Sequence, residues 1–261
     1  MDTYAAYHVI QLMVWYTTNM NSDKPTPVPK REVIQRELKK EASERLSRID
    51  AEFADGFEFI GKYNDTVTFF GSARLQPDSP HYQKAQELAG ILSKDGYTIV
   101  TGGGGGIMEA GDRGAMETGG HSIGLNIKLP HEQTLNPYAT EVMSFRYFFT
   151  RKVILAYGAM AYVYFPGGFG TFDELFEIVT LVQTKKMPKA PIILVGGEFW
   201  TALDVYIRTY MLKELSLISP GDEELYTITD DPLVIKALID SHRDTNSALS
   251  IPPPQEIVSF N

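Results

Sequence analysis

The sequence contains no cysteine. A disulfide framework, a thiolate nucleophile and a cysteine-ligated zinc site are therefore excluded, and a reducing compartment, the cytoplasm, is the default expectation. Histidine is also scarce, and the five histidines show no i, i+4 pairing of the kind that binds a metal. We accordingly predict neither a metal site nor a cofactor.

Basic residues and long apolar runs are in short supply as well. The chain has 24 lysines and arginines against 33 aspartates and glutamates, a formal net charge of −9. No basic block offsets this charge, so binding to nucleic acid through its phosphates is disfavoured and a small-molecule partner is expected. The apolar run His8–Tyr16 is too short to span a bilayer. We interpret it as a packing or dimer-forming helix, or as residues ahead of a start at Met20.

The remaining pattern divides the chain into two predicted parts. Residues 1–55 have the character of an N-terminal helical extension, with a proline-rich linker, Asn21–Pro29, and an amphipathic helix, Lys30–Phe53. Residues 56–261 form the second part, in which β-rich runs alternate with helix-period segments. This alternation predicts an α/β fold, a Rossmann-like doubly wound parallel sheet with helices on both faces. The predicted strands are Thr66–Phe70, Thr98–Thr101, Ser122–Ile127, Ala161–Phe165 and Pro191–Val195, and the predicted helices His81–Lys94, Ile107–Thr118, Tyr147–Tyr157, Thr171–Lys185 and Glu198–Leu215.

Three glycine-rich loops follow predicted strands, at the sheet edge where such folds bind ligands. They are Gly71-Ser72-Ala73, Gly102–Gly106 and Pro166–Thr171. Glycine lets the backbone approach a phosphate closely, and the helix start behind it supplies free N–H donors, so the loops indicate a nucleotide, with tight packing as the structural alternative. The spacing does not fit a dinucleotide, because non-glycine residues stand at the third glycine position of each frame. The P-loop-like spacing of Gly56–Lys62 is dismissed, since no predicted strand precedes it.

Charged residues accompany two of these elements. Asp173 and Glu174 follow Thr171, and Thr171-x-x-Glu174 also has the spacing of a helix capping box, a purely structural role. Arg151 and Lys152 sit together in an otherwise apolar helix, where they either face a ligand or extend to solvent. Neither pattern decides between chemistry and structure by itself.

Taken together, these residues resemble the Lonely Guy family of cytokinin-activating phosphoribohydrolases, often mislabelled lysine decarboxylases. Pro166–Glu174 matches that family's P-G-G-x-G-T-x-x-E signature, and the Arg151-Lys152 pair matches its second signature one helix upstream. The resemblance covers roughly residues 66–218. The long N-terminal region and the Gly-Ile-Met-Glu form of the second loop are similar to a larger bacterial subgroup. Gly105 departs from the proline of many longer relatives.

The resemblance implies that residues 56–261 are a nucleotide-binding catalytic domain in a homodimer or higher assembly. The implied reaction is hydrolysis of a nucleoside 5′-monophosphate to free base and ribose 5-phosphate, with a cytokinin nucleotide, AMP and other monophosphates all admissible. The implied catalytic pair is Arg151 and Glu174. The implied substrate contacts are Gly71, Ser72, Gly103, Gly104, Glu132, Lys152, Gly167, Gly168, Phe169, Gly170, Thr171 and Asp173.

Two other functions compete with this interpretation. A nucleotide or phosphorylated-cofactor carrier would use the same loops without turnover, although a carrier needs the glycines but not Glu174. A pyridoxal-phosphate decarboxylase would need a Schiff-base lysine and a pyridinium partner within a much larger fold, and the sequence shows neither.

Overall fold

The structure, a computed structural model, describes residues 31–128 and 135–248. The run His8–Tyr16, the linker Asn21–Pro29 and Glu132 lie outside the described residues. The chain divides after Arg48 into two compact units, and the second, which begins at Ile49, contains the sheet and every residue of the candidate site. The division into residues 1–55 and 56–261 stays a prediction.

Seven parallel strands form one sheet in the order β4-β3-β2-β1-β5-β6-β7, which confirms the doubly wound, Rossmann-like fold. Strands β1 to β4 extend from the centre in one direction and β5 to β7 in the other. The chain order therefore reverses between β1 and β5, and crevices at such switch points are where open α/β sheets bind ligands. The strands are β1 Thr66–Phe70, β2 Thr98–Thr101, β3 Ser122–Ile127, β4 Glu141–Phe145, β5 Ala161–Tyr164, β6 Ile192–Leu194 and β7 Thr227–Ile228.

Helices cover both faces of this sheet. Among the described residues, none of them is long and apolar enough to cross a membrane. They are α1 Arg31–Ile60, α2 Pro80–Lys94, α3 Ile107–Glu117, α4 Phe148–Tyr157, α5 Phe169–Gln183, α6 Gly197–Tyr206 with a π-helical continuation Ile207–Glu214, a 3₁₀ turn Asp222–Glu224, and α7 Pro232–Ala248.

Side-chain alternation along the strands divides the core into two layers. In β1, Val67 and Phe69 point to the layer that contains α2, α3 and α7, whereas Phe70 points to the layer that contains α4, α5 and α6. The end of α1 belongs to the second layer, since Ile60 is buried there. The charged pair of α4 and the carboxylates of α5 thus share one face of the sheet.

The helix boundaries differ from the prediction at two places that bear on the site. Helix α1 continues to Ile60 rather than ending at Phe53, so the P-loop-like segment from Gly56 begins inside a helix. A Cβ on Gly56 would lie 2.7 Å from Ile154 Cγ1, which shows how closely α1 packs against α4. Helix α5 begins at Phe169, ahead of the predicted Thr171.

Candidate active site

The three glycine-rich loops meet at the carboxyl edge of the sheet. The backbone N–H of Ser72 donates to Pro166 O at 3.0 Å, and Ser72 O accepts from Ile107 N, also at 3.0 Å. The first loop therefore joins the third loop to the start of α3. Gly71 is needed for packing here, because a Cβ would lie 2.6 Å from Ile107 Cγ1.

The second loop is held in shape by hydrogen bonds from its backbone to Thr101 and Asn136. Gly103 has a φ of +70°, which favours glycine, and its N–H donates to Thr101 Oγ1 at 2.9 Å. Its carbonyl accepts from Asn136 N at 3.0 Å, and Gly104 O accepts from Asn136 Nδ2 at 2.9 Å. Gly106 has a φ of +65°, and a Cβ there would overlap the Ser72 carbonyl oxygen.

A buried carboxylate, Asp112 on α3, lies beneath this loop. Its Oδ2 accepts from Thr101 Oγ1 at 2.9 Å and from Asn136 Nδ2 at 2.8 Å, while Oδ1 has no hydrogen-bond partner among the described residues. Burial raises the pKa of Asp112 to about 7, against the hydrogen bonds from Asn136 and Thr101, which lower it. The sequence pattern did not identify Asp112 or Asn136, although an acid among the apolar positions of α3 was an available signal for Asp112.

The third loop ends in an uncapped helix start. Gly168 is the N-cap of α5, no side chain of the described residues caps it, and Thr171 is the third helical residue. The capping-box interpretation is therefore wrong. The helix begins two residues ahead of Thr171, whose side chain packs on Gly167, where a Cβ would overlap Thr171 Oγ1.

This start of α5 is open to an anion, unlike the start of α3. Apart from chain neighbours and the backbone of the helix itself, no atom of the described residues lies within 4 Å of a Cβ built on Gly168 or Gly170. The first N–H groups of a helix have no acceptor within the helix itself, so those of α5 are available to a ligand. At α3, by contrast, Ile107 N already donates to Ser72 O.

Arg151 turns into the site from the first turn of α4. Its Nε donates to Leu125 O at 2.6 Å, and its guanidinium lies on Gly102, where a Cβ would overlap Nη2. Burial lowers the pKa of Arg151, and the charge of Glu174 acts in the opposite direction. Extension to solvent is thus wrong for Arg151, which lies against the second loop.

Glu174 is the acid whose charge acts on Arg151. Burial raises the pKa of its carboxyl to about 7, while the charges of Arg151 and Lys152 lower it and those of Asp173 and Glu177 raise it further. The Tyr164 hydroxyl donates to the backbone oxygen of Glu174 at 3.1 Å and fixes that turn of α5 to the sheet. A carboxyl poised near neutrality beside a buried cation is typical of catalytic sites.

Lys152, the residue after Arg151 on α4, pairs with two carboxylates of α5. Its Nζ is 2.8 Å from Asp173 Oδ2 and 3.0 Å from Glu177 Oε2. Burial acts to lower the pKa of Lys152, but the bonds to the two carboxylates outweigh it and the pKa is raised. These three residues line an open groove of about 620 Å³ with Phe169, whose side chain is almost fully exposed.

Residues 108–238 match the family model described as "Possible lysine decarboxylase". The chain belongs to this family, the Lonely Guy family. Its relatives include the rice (Oryza sativa subsp. japonica) cytokinin riboside 5′-monophosphate phosphoribohydrolase LOG, 33% identical over 47% of this chain and 51% of the rice protein. Another is LOG3, the cytokinin riboside 5′-monophosphate phosphoribohydrolase of Arabidopsis thaliana, 30% identical over 63% of this chain and 76% of that protein.

A solved structure extends the likeness in fold. The molybdenum cofactor carrier protein of Chlamydomonas reinhardtii aligns over 69% of this chain and 99% of its own, with a TM-score of 0.50 and 21% identity. At that identity the likeness shows the fold alone. The chain spans only about half of the rice LOG protein.

Proposed function

We propose that this Lonely Guy family member hydrolyses the N-glycosidic bond of a nucleoside 5′-monophosphate, giving the free base and ribose 5-phosphate. The observation that carries the proposal is the buried Glu174 on α5, behind the uncapped helix start, with the Arg151 guanidinium held against the second loop and its charge acting on Glu174. The names of the relatives support the same reaction.

In this proposal the 5′-phosphate binds at the start of α5. The free N–H groups of Phe169, Gly170 and Thr171 donate to its oxygens, and the absence of side chains at Gly168 and Gly170 lets it approach. The remaining substrate contacts are less direct. Gly103, Gly104 and Ser72 shape the neighbouring loops, while Lys152 and Asp173 pair with each other at the rim.

The chemistry assigned to Glu174 follows from the charge that develops at the sugar. Cleavage of a glycosidic bond passes through an oxocarbenium-like state, which a nearby carboxylate stabilises. With its pKa near 7, Glu174 also accepts a proton from the attacking water at neutral pH. Arg151 anchors the substrate and keeps the pKa of Glu174 from rising further. Glu132 holding the ribose hydroxyls stays a proposal from the resemblance.

The site does not fit the decarboxylase in the family model's description. A Schiff-base lysine has to be uncharged to attack a carbonyl, which requires a lowered pKa. Lys152 instead pairs with two carboxylates, and its pKa is raised.

A non-catalytic carrier is the competing function. A carrier would bind the same phosphate, but the negative charge of a buried acid such as Glu174 would repel an anionic ligand and weaken its affinity. The acid is useful only if positive charge develops on the ligand, as it does during hydrolysis.

The test is a panel of nucleoside 5′-monophosphates, including cytokinin ribotides, AMP and other nucleotides, assayed beside the matching nucleosides. We expect free base and ribose 5-phosphate in equal amounts from monophosphates only. Binding of a monophosphate without release of base would favour the carrier. Sedimentation of the same preparation tests the homodimer or higher assembly that the family resemblance implies.

A further inference from the structure

We propose that Glu52, on the N-terminal helix α1, is a positioning residue that fixes the catalytic helix α4 and so places Arg151. The proposal rests on the proposed function for the role of Arg151. The hydrogen bonds of Glu52 to the start of α4 are themselves a matter of geometry.

Glu52 binds both the backbone that leads into α4 and a side chain of its first turn. Its Oε1 accepts from Arg146 N at 2.5 Å, and its Oε2 accepts from Tyr147 N at 3.2 Å. The buried hydroxyl of Thr150 also donates to Oε2. The N-cap position of α4 is Tyr147, whose side chain makes no capping hydrogen bond. A carboxylate is well suited to the role because its charge is favourable at the positive end of a helix.

The turn that Glu52 holds is the turn that carries Arg151. Thr150 is its direct neighbour in the chain, and Arg151 N donates to Tyr147 O at 3.3 Å. The guanidinium has little freedom, since it must reach Leu125 O at 2.6 Å and lie against Gly102. A misplacement of about 1 Å in such a group can cost about 10²-fold in rate.

The other end of α4 is tied to the sheet instead. Thr68 Oγ1 donates to Leu155 O at 3.2 Å, Thr66 Oγ1 donates to Gly158 O, and the Tyr162 hydroxyl donates to Ala156 O. Removal of the Glu52 contacts therefore loosens the N-terminal turn of α4 while leaving its C-terminal end attached.

Close packing keeps Glu52 in reach of α4. One turn after Glu52, Gly56 lies against Ile154, and at the end of α1 Ile60 lies against Gly158, where a Cβ would overlap it. These two glycine contacts fix the C-terminal part of α1 along α4. This part of α1 thus belongs functionally to the site, although it precedes every family motif in the sequence.

The experiment compares Glu52→Ala and Glu52→Gln with Glu58→Gln, an exposed glutamate on the same helix. Glutamine keeps one acceptor oxygen, so we expect kcat/KM to fall by about 10²-fold in Glu52→Ala and by less in Glu52→Gln. Glu58→Gln should match wild type. The midpoint of the pH–rate profile should move upward in Glu52→Ala, because a displaced Arg151 no longer lowers the pKa of Glu174.

Amide hydrogen exchange supplies a readout that does not depend on activity. Exchange at residues 146–151 should be faster in Glu52→Gln than in Glu58→Gln, with residues 66–70 unchanged. Loss of activity with an unmoved pH midpoint and unchanged exchange would overturn the proposal, as would full activity in Glu52→Ala.

If wild type hydrolyses no monophosphate, the proposed function fails. The exchange data, together with AMP binding by calorimetry, then still decide whether Glu52 holds the start of α4. If Glu52→Ala does not fold, Glu52→Gln and Thr150→Val carry the same comparison.

Discussion

At the residue scale, the site depends on opposing influences on a few titratable groups. Burial raises the pKa of Glu174 toward neutrality, and the charges of two cations lower it. Burial also raises the pKa of Asp112, but there only hydrogen bonds from neutral donors lower it. The environments differ, and so do the expected consequences. Glu174 should control activity as a function of pH, and Asp112 should control stability.

The charge of Lys152 is predicted to tune Glu174. Since the ionised carboxylate is the reactive form, kcat/KM should rise with pH through about 7 in wild type. Lys152→Met removes a cation that lowers this pKa, so the midpoint should shift to higher pH. The measurement is the pH–rate profile, with the exposed Lys186→Met as control. A midpoint that stays in place in Lys152→Met would contradict the assignment.

Asp112 is predicted to make stability fall as pH rises. Its pKa is raised from 3.8 to about 7, so between these values the folded protein binds more protons than the unfolded chain. Stability is then lost as the carboxyl ionises. Glu174 contributes in the same direction. Urea unfolding at pH 5 and pH 8 should show a smaller decrease in the free energy of unfolding for Asp112→Asn than for wild type, and equal decreases would refute the role.

At the element scale, local pattern predicted most of the architecture. All five predicted strands are present because each is a buried β-rich run between turns. The two edge strands were missed for physical reasons: β4 is largely exposed and therefore shows no apolar run, and β7 has only two residues. The start of α5 was misplaced because the Thr171-x-x-Glu174 spacing matched a capping box, whereas the helix begins at Phe169 behind the uncapped Gly168.

Contacts between residues distant in the chain could not be predicted from local sequence patterns. Glu52 and Thr150 are far apart in the chain, and no local signal pairs them. The motifs did identify Arg151, Glu174 and the loops that the structure brings together. They did not identify Asp112, Asn136 or Glu52, whose hydrogen bonds hold the second loop and the start of α4.

The second loop is predicted to tolerate a methyl group at one glycine and not at another. Gly102→Ala places a Cβ on the Arg151 guanidinium, so we expect kcat/KM to fall by about 10²-fold. At Gly105 the nearest atom to a Cβ is Ala73 O at 3.4 Å, an ordinary contact, so Gly105→Ala should keep its activity. Steady-state kinetics of the two variants make the comparison. Equal activity in both would show that Arg151 does not need its observed position.

At the scale of the whole molecule, topology and charge set the conditions for binding. The reversal of strand order between β1 and β5 brings the first and third loops side by side, since Phe70 pairs with Tyr164 at the strand ends. The net charge of −9 opposes an anionic substrate. Phosphate binding therefore has to depend on the local N–H groups of α5 rather than on a broad positive field.

This charge balance predicts an unusual response to salt. Screening weakens the repulsion between an acidic protein and a phosphate, so kcat/KM for a monophosphate should hold or rise as ionic strength increases from about 0.01 M to about 0.15 M. Kinetics at a series of salt concentrations test this. A steep fall in kcat/KM would indicate attraction by a cationic surface and would contradict binding by backbone donors.

The decisive measurement is the release of free base from a nucleoside 5′-monophosphate. It compares wild type with Glu174→Gln and with the exposed-site control Glu87→Gln. We predict that wild type and Glu87→Gln release base, and that Glu174→Gln loses on the order of 10²-fold or more in kcat while calorimetry still detects bound nucleotide. Unimpaired turnover in Glu174→Gln, or nucleotide binding without any base released by wild type, would contradict the hydrolase mechanism.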